Sequence, residues 1–124
     1  MSHQGFIAIV DDDDSVRSAT TKLLRRDGYV VRSFASAEEF LQSPDIGDTQ
    51  CLISDVRMPV VSGLELQSRL IASGHAIPII FLTAFPEDKS RERALAAGAL
   101  CFLAKPFDAE VLTAFVEQAL RQSR

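Results

Sequence analysis

The sequence predicts an α/β fold, a parallel sheet with helices on both faces. Short apolar runs alternate with longer amphipathic segments five times, the strand–helix alternation that builds such a sheet. The clearest runs, such as the one at residues 6–10, are continuous rather than alternating, as strands buried on both faces require. Four of the five runs stop at a residue able to handle phosphate or metal: Asp11-Asp12, Asp55, Thr83 and Lys105.

Phe6-Ile7-Ala8-Ile9-Val10 is the first strand. After the acidic residues 11–14, Val16, Ala19, Thr20, Leu23 and Leu24 recur at helical spacing, and Gly28 can end that helix. Asp13 or Asp14 is expected to cap it. Val30-Val31 with Phe34 reads as a second strand, and Ser36-Ala37-Glu38-Glu39 as a capping box opening a short helix through Phe40 and Leu41. Pro44 to Gln50 is a polar loop. Cys51-Leu52-Ile53-Ser54 forms a third strand, ending at Asp55. Pro59 and Gly63 bracket a loop, and Leu66, Leu70 and Ile71 mark a helix that closes near Gly74. Residues 77–82 are a fourth strand ending at Thr83. Pro86 to Ala97 reads as a helix with Ala94 and Leu95 as its main anchors. Cys101-Phe102-Leu103-Ala104 is a fifth strand ending at Lys105, and Asp108 caps a last helix carrying Val111, Leu112, Phe115, Val116 and Ala119.

The chain of 124 residues suits one domain spanning 1–124, and 47% hydrophobic residues supply a core and exclude disorder. The net charge is −4 and the basic pairs Arg25-Arg26 and Arg91/Arg93 are short, so direct nucleic-acid binding is not expected. No apolar run reaches the roughly 18 residues of a membrane span. Met1-Ser2-His3-Gln4 has no charged segment leading into an apolar one, so no signal peptide is expected and a cytoplasmic location follows. Cys51 and Cys101 lie far apart in apolar runs and read as buried free thiols, not a disulfide.

In a parallel sheet all strand C-termini share one edge, and ligands bind outside that edge where the strand order reverses. Three carboxylates, a hydroxyl and an ammonium should therefore converge. Crowded carboxylates must protonate or hold a cation. An all-oxygen set without His or Cys suits Mg²⁺ and argues against zinc. Lys and Thr are surplus to a bare metal site; they fit a phosphoryl group, whose oxygens need neutralisation and hydrogen bonds. One carboxylate can then be the nucleophile, giving an acyl phosphate. Taken singly, each residue has a plainer reading: the aspartates as helix caps, Thr83 and Lys105 as surface residues, Lys105-Pro106 as a helix-start signal. It is their joint position at four strand ends that carries the argument.

The motifs Ile9-Val10-Asp11-Asp12-Asp13, Ser54-Asp55-Val56-Arg57-Met58-Pro59 with Gly63, Leu82-Thr83-Ala84, Ala97-Gly98-Ala99 and Lys105-Pro106-Phe107 resemble those of the response-regulator receiver family, over nearly the whole chain. Asp55-Val56-Arg57-Met58-Pro59 and the stretch from Cys101 to Asp108 look most similar to the FixJ-like group. The resemblance implies a flavodoxin-like sheet in the order 2-1-3-4-5, with Asp55 as phosphoacceptor. It implies that Asp12 ligates Mg²⁺ directly (Mn²⁺ being the alternative ion), Asp11 holds it through water, and Asp55 and the main-chain carbonyl of Arg57 complete the protein ligands. Lys105 would pair with the phosphoryl group, Thr83 would hydrogen-bond to it, and the small Ala84 would leave Asp55 open to a donor. Lys105-Pro106 is implied to be a cis peptide. In the implied switch, Thr83 moves toward the phosphoryl group and Phe102 turns into the vacated space. This reshapes the face of the fourth helix, fifth strand and fifth helix, a face also implied for homodimerisation. The implied partner is a sensor histidine kinase or phosphotransfer protein. The implied activity is that of a signalling phosphoacceptor, which catalyses only its own phosphorylation and dephosphorylation. Two departures stand out: Phe102 where Tyr is common, and four successive aspartates where two or three acids are usual.

Two other functions compete. A haloacid-dehalogenase-type phosphatase also uses an Asp nucleophile after the first strand, but needs a further acidic pair on a strand beyond the Lys; Asp108, Glu110 and Glu117 lie in helical sequence instead. A phosphorylation-independent interaction module would not need so complete a site. Phosphate-loop and dinucleotide motifs are absent. The output is not legible from the residues: the chain reads as a stand-alone receiver, such as a relay intermediate, or as the receiver part of a DNA-binding regulator, and the resemblance to the FixJ-like group favours a transcriptional context by analogy.

Overall fold

The computed structural model describes residues 5–122; residues 1–4, read above for a leader signal, and residues 123–124 lie outside the described residues. Strands β1 (Phe6–Val10), β2 (Val31–Phe34), β3 (Thr49–Asp55), β4 (Ile79–Thr83) and β5 (Cys101–Ala104) form one parallel sheet in the order β2-β1-β3-β4-β5. Between and after them run α1 (Asp14–Arg26), α2 (Ala37–Leu41), α3 (Gly63–Ala72), α4 (Asp88–Ala96) and α5 (Ala109–Gln122). The expected flavodoxin-like architecture is the one observed.

Strand side chains point alternately to the two faces, so each apolar run feeds two cores. Phe6, Ala8, Val10, Leu52 and Phe81 pack with Phe40, Leu66, Leu70 and Ala94 from α2, α3 and α4. Ile7, Ile9, Ile53, Ile80 and Leu82 pack with Leu24 of α1 and Leu112, Val116 and Ala119 of α5. Cys51 and Cys101 belong to the second core as buried free thiols, as anticipated. Burial pushes each thiol up to about 12, and for Cys51 the neighbouring Cys101 adds to it.

Helix ends follow local chemistry. Asp13, not Asp14, caps α1, its Oδ1 accepting from the N–H groups of Ser15 and Val16. Asp14 points to solvent and pairs with Arg17. Ser36 caps α2 and Ser62 caps α3. Gly28, with φ +94°, ends α1 in a left-handed turn.

Several boundaries and anchors differ from expectation. β3 begins earlier, at Thr49, after a 3₁₀ turn over Ile46–Asp48, because a polar residue can pair in the ladder without an apolar signal. β4 begins at Ile79 rather than Ile77: Pro78 lacks an N–H to donate, though its carbonyl still accepts from Leu52. α4 begins at Asp88, not Pro86, since Glu87 is extended and stands as the residue before the first helical turn. Leu95, expected as an anchor, is 39% exposed and leaves Ala94 as the one buried residue of α4; Ile71 and Val111 also face outward. Helical spacing marks a stripe, but neighbouring elements decide how much of it is covered.

Candidate functional site

β1 and β3 are adjacent, yet β1's chain successor β2 lies on its other side, so the order reverses at this pair. The crevice at their C-terminal ends is where the site forms. Asp11 and Asp12 follow β1, Asp55 ends β3, Thr83 ends β4 and Lys105 follows β5.

Asp11 is buried and held on three sides. Its Oδ1 accepts from the Asp13 N–H at 2.9 Å, its Oδ2 accepts from Lys105 Nζ at 2.9 Å, and its carbonyl accepts from Arg17 at 2.7 Å. Asp55 Oδ1 accepts from the Val56 N–H at 2.7 Å, and its Oδ2 takes a longer bond from Lys105 at 3.3 Å. Lys105 thus bridges two carboxylates, all three side chains being mostly buried. Asp12 is exposed, but its carboxylate reaches the same cluster: ligand oxygens of Asp11, Asp12 and Asp55 all lie within 4.8 Å of one another.

The electrostatics follow from that packing. Burial raises the Asp55 carboxyl above its ordinary value; Lys105 opposes this, Asp11 adds to it, and the Val56 N–H opposes it again. For Lys105, burial pulls the ammonium down, but the hydrogen bonds and charges of Asp11 and Asp55 together outweigh it and the net shift is upward. One ammonium among three carboxylates leaves two negative charges unbalanced. A hard, all-oxygen donor set with that residual charge fits a divalent ion of the Mg²⁺ kind, and the exposed Asp12 leaves the set open to solvent.

A cavity of about 730 Å³ opens beside the cluster. Asp12, Asp55, Ala84 and Lys105 line one part of it and Val16, Ala19 and Phe107 another. Ala84 is exposed, so no bulk covers Asp55 from that side. The Lys105–Pro106 peptide is cis.

Thr83 sits at its strand end but is fully buried, and its hydroxyl accepts from the Phe85 N–H at 3.0 Å instead of reaching toward Asp55. Phe102 is partly buried on the sheet face that carries α4, its ring 6.2 Å from that of Phe81. Thr83, Phe81 and Phe102 share that face, because Phe81 pairs with Phe102 and Thr83 with Ala104.

Three features escaped the sequence reading. The Arg57 side chain leaves the cluster and pairs with Glu87 at 2.6 Å, and its guanidinium lies 4.7 Å from the centre of the Phe85 ring. Gly63 is the first residue of α3, not merely a loop bracket, and packs so closely on the Asp55 carbonyl that a Cβ would overlap it. Val60 holds a left-handed φ of +68° at 85% exposure, in a three-residue turn closed by the Val61 N–H to the Pro59 carbonyl. A Phe directly after Thr83-Ala84 was the one available signal; the Arg57–Glu87 pair joins loops thirty positions apart, and neither the close approach of Gly63 nor the backbone angle at Val60 leaves a mark in apolar spacing.

Among the described residues no strand follows Lys105 to carry the acidic pair that the rival phosphatase needs: Glu110 and Glu117 lie on α5, and Asp108 precedes it, accepting from the Glu110 N–H at 2.8 Å. A doubly wound sheet with this acid–lysine cluster at its switch point defines a phosphoacceptor module, and the model of the response regulator receiver domain matches residues 7–117. The chain belongs to that family, the receivers of two-component signalling. It is 42% identical to nodulation protein W of Bradyrhizobium diazoefficiens, over 99% of this chain and 55% of that one. It is 37% identical to the transcriptional regulatory protein FixJ of the same organism, over 99% of this chain and 60% of that one. The crystal structure of FixJ-N superposes with a TM-score of 0.85 at 32% identity, covering 97% of this chain and 96% of that one. The chain spans little more than half the length of the curated relatives it matches. No helix among the described residues is long and apolar enough to cross a membrane.

Proposed function

We propose that residues 1–124 act as one receiver unit in which Asp55 accepts a phosphoryl group from the phosphohistidine of a sensor histidine kinase or phosphotransfer protein. The observation that carries this is the bridge from Lys105 Nζ to both Asp11 and Asp55 at the sheet's switch point, with Asp12 completing the acidic set. An Asp55 oxygen attacks phosphorus while the bond from phosphorus to the donor's imidazole nitrogen breaks. The Val56 N–H orients the carboxylate and Lys105 counters the charge of the phosphoryl oxygens. Asp11, Asp12, Asp55 and the Arg57 carbonyl would hold Mg²⁺, or Mn²⁺ in its place, whose chemistry is to offset negative charge beside the acceptor. Ala84 leaves the approach open. The chain catalyses only its own phosphorylation and dephosphorylation, and we place it in the cytoplasm.

On loading, Thr83 exchanges its bond from Phe85 for one to a phosphoryl oxygen, and Phe102 turns inward into the space released. The face of α4, β5 and α5 then changes, and homodimerisation uses the same face. α4 suits this because it buries Ala94 alone.

The test is incubation with acetyl phosphate, with and without Mg²⁺, followed by intact mass, with Asp55→Asn as control. One phosphoryl that requires Mg²⁺ and is lost in the variant is expected. Continuous phosphate release with no adduct on Asp55 would put the hydrolase in its place. No adduct from acetyl phosphate or a histidine-kinase donor would leave an interaction module.

A further inference from the structure

The loop between β4 and α4 is braced from outside by the loop after β3. Arg57 Nη2 donates to Glu87 Oε1 at 2.6 Å, and the Arg57 guanidinium stacks over the Phe85 ring. Phe85 is 58% exposed, so its ring owes little to the core. The Phe85 N–H holds Thr83 Oγ1, which keeps that hydroxyl at a fully buried position. Glu87 is the N-cap residue of α4, yet its carboxylate makes no capping bond and is committed to Arg57 instead; the caps of α1, α2 and α3 all use their side chains. At the other end of α4, Gln67 of α3 donates to the Ala94 carbonyl at 3.0 Å. α4 is therefore tied by polar side chains at each end rather than by an apolar seam.

We propose that Arg57, Phe85 and Glu87 form an autoinhibitory clasp that holds the β4–α4 loop in the arrangement where Thr83 is bonded to the Phe85 N–H. The proposal rests on the reading of Asp55 as phosphoacceptor and Thr83 as a phosphoryl partner. A contact made in one state only shifts the equilibrium by its own free energy. Arg57 and Glu87 are both more than half exposed, so their pair is weak and the bias is a fine adjustment, not a lock. An exposed ion pair corresponds to about a threefold change in population. High salt should weaken it further.

The experiment compares wild type with Glu87→Gln, which keeps shape and removes the charge, and with Phe85→Leu, which keeps the N–H and removes the ring face. Loading of Asp55 from acetyl phosphate with Mg²⁺ is followed by intact mass, and the Thr83 and Phe85 amide resonances are recorded without donor and with beryllofluoride. Both variants are expected to load about threefold faster than wild type in low salt. Their resting resonances are expected to lie part-way toward the beryllofluoride positions. Salt at about 0.5 M should narrow the gap between wild type and Glu87→Gln. Unchanged loading or slower loading in the variants overturns the clasp. Faster loading with unmoved resonances also overturns it, since it would assign the effect of Glu87 to repulsion of the anionic donor. Moved resonances without faster loading overturn it as well. If wild type loads no better than Asp55→Asn, the site reading itself fails and the clasp falls with it.

Discussion

Replacing Gly63 by alanine probes how the third helix and the acceptor strand share space. Gly63 opens α3, and its N–H donates to the Val56 carbonyl at 2.8 Å. A Cβ there would overlap the Asp55 carbonyl oxygen and lie 3.0 Å from Cε1 of Phe81. Relief to even a tight carbon–oxygen contact of about 3.3 Å needs a shift of about 1 Å. Neither neighbour is a flexible tip: Asp55 is laddered to Leu82 and Phe81 is fully buried. Overpacking costs about 1–3 kcal/mol, and a clash against backbone belongs at the upper end, about 2–3 kcal/mol. In a domain of this size about 1 kcal/mol moves the Tm by about 4 °C, so a fall of about 8–12 °C is expected. The same displacement shifts Asp55 relative to Lys105 and Asp11, and about 1 Å of misplacement can cost up to about 100-fold in rate. Thermal melts by circular dichroism, run beside acetyl phosphate loading, read both effects. A Tm within about 2 °C of wild type with loading intact would refute the argument, because it would mean that α3 can retreat without disturbing the acceptor.

Other outcomes follow from single features. Folding raises the Asp55 carboxyl pKa, so the charged form opposes folding at neutral pH and this penalty fades as the pH falls through the raised value. Asp55→Asn should therefore be more stable than wild type at pH 7, with a smaller advantage at pH 4 in urea titrations; an advantage that grows on acidification would reverse the assigned sign. Val60 is β-branched at φ +68° and exposed, so Val60→Gly should gain about 1 kcal/mol of stability in the same assay. A loss would show that the side chain contributes more than its strain costs. Cys51 and Cys101, both buried and pushed up to about 12, should resist a thiol-specific disulfide reagent in the native protein and react on unfolding.

Much of the site was legible because topology converts sequence position into spatial position. In a parallel sheet, a residue directly after an apolar run must emerge at one edge, so Asp11, Asp12, Asp55, Thr83 and Lys105 could be placed together before any coordinate was known. Which aspartate caps α1 was half-readable, since Asp13 and Asp14 are chemically equal and only the extended backbone at Asp13 separates them. Exposure of Leu95, Ile71 and Val111 was not readable, because apolar spacing says which residues share a stripe and not how far a neighbouring element covers it.

The order of apolar runs and the polar residues that end them determined the doubly wound fold, the five strands, the two cores and the membership of the acidic–lysine cluster. These depend on local pattern and on the handedness and burial rules of parallel sheets, which hold whatever the loops do. Tertiary structure alone decided that Thr83 is bonded to Phe85, that Arg57 reaches Glu87 thirty positions away, and that Gly63 abuts the carbonyl of Asp55. Each of these is a contact whose partner is chosen by loop conformation and close packing, and such partners are set by distances in space that no one-dimensional spacing encodes.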